Sequence, residues 1–294
     1  MHRIIKILAT TVLAVSVFSC IQDDSEPGPC PEHIRIVPEW INTTPHASGL
    51  AAVRIIPMAG VEIDTLSTAA GVVVDLPGGT YGIVGNEEAA NVTVNGRTIS
   101  VTAGVGGMLP DPGALAGGAV NVTLKNHNEP VSEELVVPVP MRQQTRQLVV
   151  EVVFLNNGFP SVTALSGKMG RIASSRDIND GFPTLSGATM PDAITYGSVD
   201  FTFSAVNEDG EDFYRGSRQL LGVDGRGPQQ FDLSVTAGGD SKTFTIDLSR
   251  AMEGFHTNHV NIPWVIILEV DLSARLELTI INWSLGEISD IIAE

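Results

Sequence analysis

Residues able to do chemistry are sparse in this 294-residue chain, and its two cysteines lie close together. Cys20 and Cys30 flank a stretch rich in acid and proline, so they could form a disulfide, bind a metal or serve two unrelated purposes. Apart from lone His33, no cysteine or histidine stands near Cys30, which leaves a zinc site short of ligands. We therefore predict neither a metal nor a cofactor.

Histidine and acidic clusters further along give weak signals. His256 and His259 would chelate a metal on a helix, yet no third ligand is placed nearby, so we favour a turn with two surface histidines. The segment Asn207–Asp212 lacks the alternating acids of a calcium loop, and we expect a solvated turn there. The motifs of serine nucleophiles and phosphate loops do not occur. We predict no catalytic residue, although a glycosidase-type carboxylate pair, distant in sequence, stays open.

The N-terminus is typical of an export signal. The basic segment Met1–Lys6 precedes an apolar run, Ile7–Phe18, which is shorter than the roughly 20 residues that span a bilayer. Ser19-Cys20 then resembles the lipobox of bacterial lipoproteins, the alternative being an ordinary signal peptide with a chance cysteine. The lipobox implies a signal peptide over residues 1–19 and a diacylated Cys20. A diacylated Cys20 cannot form a disulfide, so Cys30 is then the remaining thiol.

Residues 20–31 form a predicted acidic Pro/Gly tether. Polar and acidic residues directly after a lipidated cysteine resemble the surface-export signal of Bacteroidetes lipoproteins, and here they are Gln22, Asp23, Asp24 and Glu26. The resemblance implies an outer-membrane protein, lipid-anchored and exposed at the cell surface. The net charge of −17 argues against nucleic acid as a partner and against adsorption to anionic lipid through basic patches. An acidic protein displayed outside the cell fits this charge.

Composition and patterning predict an all-β chain. It has 30 glycines, 17 prolines and many Val, Ile and Thr, in alternating runs typical of short strands joined by turns. Asn95-Gly96 and Asp209-Gly210 predict hairpins, whereas helix is limited to a turn or two near residues 171–178 or 248–255. We predict two β-sandwich domains, at residues 32–140 and 141–294, that meet in the proline-containing segment Pro138–Gln147.

Several segments together resemble one family. They are Cys20 with its acidic tether, Cys30-Pro31 before a strand that ends at Trp40, Val72–Glu88, and Phe244–Ile288. In this order they are similar to the fimbrillin-associated, Mfa2/FimB-type lipoproteins of Bacteroidales. The resemblance implies two tandem transthyretin-like Greek-key β-sandwich domains and a non-catalytic fimbrial (type V pilus-like) anchor or accessory subunit. Its partners would be other fimbrial subunits, bound by strand exchange, and the outer membrane, reached through the lipid.

The resemblance also raises the question of processing. Polymerising fimbrillins of this group are cut after an arginine in the first strand region, and the groove that opens accepts a neighbour's strand. Arg35 and Arg54 are the candidates here, but both lie in predicted strands, so we favour an uncut anchor over a polymerising subunit. Asp64-Thr65-Leu66 resembles the Bacteroidetes O-glycosylation motif, which makes Thr65 a possible acceptor.

A surface glycan- or host-binding lipoprotein is the alternative function, because the loops of a β-sandwich suit binding. A sugar platform needs clustered exposed aromatic residues, whereas we expect Trp40, Trp264 and Trp283 to pack in the cores. A hydrolase would need converging carboxylates or a triad, for which the sequence offers no motif. The C-terminal Glu287–Glu294 could close its own sheet or be donated to a partner.

Overall fold

The computed structural model describes residues 30–41, 43, 50–127, 133–155, 162–178, 195–224, 227–256, 262–272 and 277–285. Strands make up most of this part of the chain, which contains no α-helix and has a 3₁₀ turn at Val105–Gly107. The all-β prediction is therefore confirmed.

The first half of the chain forms one sandwich. Its strands are β1 Glu32–Trp40, β2 Ala51–Pro57, β3 Ile63–Ser67, β4 Val72–Leu76, β5 Gly79–Asn86, β6 Val92–Asn95, β7 Thr98–Val101, β8 Ala116–Leu124 and β9 Leu135–Gln143. In the sheet of order β3-β2-β5-β8-β9-β1-β4, β8 and β9 pair over two residues, Ala116 and Gly117. Strands on both sides of this short pairing contribute to one core, which includes Ile34, Ile55 and Ile83, all fully buried.

The second half forms another sandwich. Its strands are β10 Arg146–Phe154, β11 Val162–Ala173, β12 Ser175–Asp177, β13 Tyr196–Thr202, β14 Ser204–Glu208, β15 Glu211–Leu220, β16 Gln230–Ala237, β17 Asp240–Asp247, β18 Trp264–Asp271 and β19 Glu277–Leu285. A sheet of order β14-β15-β10-β18-β19 faces one of order β13-β11-β16-β17. Val150 and Ile266 from the first sheet and Phe231 from the second share one core. β16 and β18 supply their buried residues by regular alternation.

Within the described residues, each half contains one parallel strand pair. β1 runs parallel to β9 from Ile34↔Leu135 to Trp40↔Met141. β10 runs parallel to β18 from Leu148↔Trp264 to Phe154↔Val270. A parallel pair cannot be closed by a tight turn, so in each half an early strand pairs with one that is distant in sequence.

The two halves interlock. β7 pairs with β12, which gives a separate three-stranded sheet of order β12-β7-β6 built from both halves. Ile99, Val101, Leu109 and Leu115 of the first half are buried in the core of the second. β9 continues across residues 140 and 141, where we placed the domain boundary, and β10 follows after fully buried Gln144 and Thr145. The predicted domain bounds stay a prediction.

The turn predictions had mixed outcomes. Asp209 and Gly210 have φ of 54° and 85° between β14 and β15, as a two-residue hairpin with left-handed residues requires. The β6–β7 hairpin is also present, but Asn95 pairs with Thr98, so its loop is Gly96-Arg97, one residue later than predicted. The prediction of a helical turn near residues 171–178 is wrong, since these residues extend β11 and form β12. In the other predicted segment, residues 249–256 form consecutive turns, and the N–H of Met252 donates to the carbonyl of Leu248.

Candidate functional site

Arg35 lies in the middle of a fully paired strand. β1 is flanked by β4 and β9, and Arg35 pairs with Val73 on one side and Val136 on the other. Ile34 and Ile36 on either side are fully buried, while the Arg35 side chain points outward. Its Nε donates to Oε2 of Glu134 at 2.8 Å, and this hydrogen bond raises the pKa of the guanidinium. A protease could reach the bond after Arg35 only if β1 left its sheet.

Arg54 is held even more firmly. It lies in β2, between β3 and β5. Its Nε donates to Oδ1 of Asp64 at 2.7 Å and an Nη donates to the carbonyl of Val94 at 3.2 Å, so Arg54 fastens the β6–β7 hairpin to the first sheet. The hydrogen bond to Asp64 is the main cause that raises the pKa of Arg54. The structure therefore places both candidate processing arginines inside sheets, as predicted.

Thr65 lies beside a shallow surface pocket. β3, which carries it, is the outer strand of its sheet in the described residues, and Thr65 is half-buried. The pocket has a volume of about 270 Å³ and is lined by Ala52, Val53, Arg54, Asp64, Thr65, Leu66, Asn86 and Val94. Arg54 and Asp64 bind each other across it, and Leu66 keeps 59% of its surface exposed. O-glycosylation of Thr65 stays a prediction.

The predicted tether reaches the first sandwich at Cys30. Cys20, Gln22, Asp23, Asp24 and Glu26 lie outside the described residues. Cys30 is buried, and its backbone N–H donates to the carbonyl of His127 at 2.8 Å, immediately before β1. The tether therefore ends at a fixed point of the fold.

The candidate metal sites do not form in the described part of the chain. No three His, Cys, Asp or Glu side chains there converge on a metal position, and no helix there is long and apolar enough to cross a membrane. Glu208 and Asp212 of the acidic hairpin bind Arg215 and Asn207 instead.

His259 lies outside the described residues. His256 lies in the expected turn, but it is half-buried rather than a surface residue. Its Nε2 accepts the N–H of Val223 at 3.1 Å. Burial, followed by the positive charges of Arg176 and Arg146, lowers its pKa from 6.5 to about 4. The imidazole is therefore neutral at pH 7 and acts as an acceptor inside the fold.

The tryptophans are only partly as expected. Trp264 is buried and its indole N–H donates to the carbonyl of Ala251 at 2.8 Å, while Trp40 packs against the first core. Trp283 is 37% exposed, because β19 is the outer strand of its sheet in the described residues, and the Arg250 guanidinium lies 5.7 Å from its ring. The prediction that Trp283 packs in a core is therefore wrong.

Solved structures of other proteins superpose on most of this chain. No protein-family model and no curated protein matches the chain. The fimbrial anchor protein Mfa2 from Porphyromonas gingivalis superposes with a TM-score of 0.59 at 13% identity, over 87% of this chain and 97% of that one. A candidate adhesin from Bacteroides ovatus gives 0.57 at 10% identity, over 91% and 98%. A candidate polysaccharide-binding protein from Bacteroides thetaiotaomicron gives 0.53 at 10% identity, over 88% and 99%.

The chain has the fold of these proteins. Its structural neighbours include a fimbrial anchor, as the family resemblance implied. Each superposition covers nearly the full length of the neighbour, so it includes both sandwiches rather than one of them.

A buried arginine pair at the junction of the halves escaped the sequence analysis. Arg146 is fully buried, donates to the carbonyls of Gly254, Phe255 and Ile262, and stacks 5.0 Å from the Trp264 ring. Burial lowers its pKa to about 10. Arg176 donates to the backbone and side chain of Gln144 at 3.2 and 2.7 Å.

One signal in the sequence would have revealed Arg146. In a strand, residues two apart face the same side, and Arg146 shares the parity of Leu148 and Val150, which are both buried. The apparent linker segment is thus the end of β9 and the start of β10. Arg146 binds the carbonyls of Gly254 and Ile262 in the second half, and Arg176 binds Gln144 between the two strands.

Proposed function

We propose that this chain is a cell-surface lipoprotein, held in the outer membrane through Cys20, that serves as a non-catalytic fimbrial anchor or accessory subunit. The observation that carries the proposal is the intact first strand. β1 fills the place between β4 and β9 in its own sheet, with Ile34 and Ile36 fully buried, so the uncut chain needs no foreign strand to complete the first sandwich. The fold of Mfa2, itself a fimbrial anchor protein, supports the same role.

Association with other subunits would use unpaired strand edges. β3, β4, β14 and β19 are outer strands within the described residues, and an outer strand can bind an extended segment through main-chain hydrogen bonds. A non-catalytic role agrees with the candidate reactive groups, because Nε2 of half-buried His256 accepts a hydrogen bond from Val223. Glu208 and Asp212 of the β14–β15 hairpin bind Arg215 and Asn207.

Glycan binding is the second candidate, favoured by the polysaccharide-binding description of one structural neighbour. The arrangement of tryptophans weighs against it. Trp264 is buried, Trp40 packs on the other core, and Trp283 is the exposed one, so the three do not form a common sugar platform. Binding on a glycan array would favour this candidate.

Acylation and processing can be tested on the same cells. We expect radiolabelled palmitate to enter the wild-type chain and not the Cys20→Ala variant, and the intact mass of surface protein to include the segment before Ile36. A mature protein that begins at Ile36 would instead identify a polymerising subunit cut after Arg35, with Arg35→Lys as the matched uncut control. An uncut, acylated protein that never co-purifies with fimbrial subunits would contradict the anchor role.

A further inference from the structure

The loop between β2 and β3 has an apolar tip whose large side chains are among the most exposed on this surface. Met58 and Val61 are 84% and 85% exposed, and Ala59 and Gly60 between them are exposed as well. A side chain of this kind gains free energy when it leaves water, so a fully exposed apolar tip suggests a partner surface. We define Met58–Val61 as the apolar tip.

The apolar tip carries no charge of its own. The nearest acidic residue along the chain, Glu62, has its carboxylate 3.8 Å from Nε of Arg54, which lies back on the sheet. The base of the loop is fixed, because the N–H of Met58 donates to the carbonyl of Thr80 at 3.1 Å. Two large apolar side chains are thus presented beyond a rigid base.

The apolar tip and the tether belong to the same end of the molecule. Thr80, which holds Met58, follows Gly78, and Gly78 packs against Asn126, the neighbour of His127. His127 in turn accepts the hydrogen bond from Cys30. β1, β5 and β9 all begin at this end, and the second half joins at the opposite end, after Gln143. We call this end the tether pole.

The tether limits how far the tether pole can lie from a membrane. Cys20 and Cys30 are ten residues apart, and an extended chain spans at most about 3.6 Å per residue, or about 36 Å in total. With an acyl chain on Cys20, this reach of about 36 Å limits how far the tether pole can move from the bilayer, which brings the apolar tip within range of its surface.

We propose that Met58 and Val61 insert into the interfacial region of the outer-membrane bilayer, as a second contact beside the lipid on Cys20. This inference rests on the proposed lipid anchor. Its partner is the bilayer, since the tether brings that surface to the tether pole. The contact is apolar rather than electrostatic, because the chain carries a net charge of −17 and gains nothing from anionic lipid. It fixes the orientation of the first sandwich, which a flexible tether alone leaves free.

The test places an environment-sensitive fluorophore on the acylated full-length chain bound to phosphatidylcholine vesicles. Met58→Cys and Val61→Cys carry the probe, and Val105→Cys is the control, because Val105 is 98% exposed but lies in the loop that packs on β13. We expect a blue shift and quenching by shallow nitroxide lipid at positions 58 and 61, and neither at 105. The Met58→Ser/Val61→Ser pair in the Cys20→Ala chain should lower vesicle partitioning roughly tenfold, with an unchanged Tm.

Two results would overturn the insertion. One is a vesicle-bound acylated chain in which the probes at 58 and 61 remain as exposed to water as the probe at 105. The other is shielding that arises only after outer-membrane proteins are added, which would make the apolar tip a protein-binding surface. The mass of the Cys20 peptide reports acylation separately, so a failed lipid anchor is distinguished from a failed insertion.

Discussion

His256 predicts that part of the fold's sensitivity to acid comes from one side chain. The neutral ring accepts a hydrogen bond from Val223, and protonation would remove this acceptor and place a cation near Arg176 and Arg146. Between pH 6.5 and about 4 the unfolded state binds a proton at this imidazole and the folded state does not. Stability therefore falls as the pH falls through this range, and the loss levels off below pH 4.

The size of the effect follows from the two pKa values. The interval from 6.5 to about 4, at about 1.36 kcal/mol per pH unit, sets a maximum near 3 kcal/mol. Because other groups also titrate in this range, the measurement is a difference between two proteins. His256→Gln keeps a side-chain oxygen that can accept from Val223 but cannot be protonated, so it is the matched variant.

The assay is urea unfolding of both proteins at pH 7, 6, 5 and 4, followed by circular dichroism. We expect the wild type to lose about 2–3 kcal/mol more than His256→Gln between pH 7 and 4. Two stability curves that stay parallel within about 0.5 kcal/mol would refute the reasoning, because the folded ring would then accept its proton as easily as the unfolded one.

Three further predictions concern packing, each measured by urea unfolding. Gly118→Ala should cost about 2–3 kcal/mol, because a Cβ there would meet the Pro140 carbonyl, whereas Gly82→Ala has room and should cost nothing. Ile99→Ala should destabilise the second-half core by about 2–4 kcal/mol although it lies in the first half, and a change confined to the first core would contradict the interlock. Arg146→Lys should cost about 1–3 kcal/mol, since an ammonium cannot reach three carbonyls as a guanidinium does; an unchanged midpoint would argue against it.

Local features of the fold could be predicted from the sequence. Alternation identified β1, and Asp209-Gly210 identified a hairpin, because both signals depend on neighbouring residues alone. The position of Arg35 within a strand followed from the same alternation. Its partner Glu134 lies 99 residues away and has no local signature.

The contacts that interlock the two halves could not be predicted from the sequence. Residues 171–178 carry a polar stretch that suggested a helical turn, but Ser175–Asp177 pair with β7, far away in the chain, and residues 172 and 173 pair with β13. His256 and Arg146 were misjudged for a related reason. Polar residues are usually exposed, and these two are drawn inward by hydrogen bonds with residues distant in sequence, which no local pattern reveals.

The parallel pairing of β1 with β9 has a mechanical consequence. A chain held at Cys30 and pulled from its second half would have its tension applied to opposite ends of this pair, at the start of β1 and the end of β9. The load then acts along the strands, so the hydrogen bonds from Ile34 to Trp40 resist it together rather than one after another. The first sandwich is built to transmit force in shear between its two attachment points.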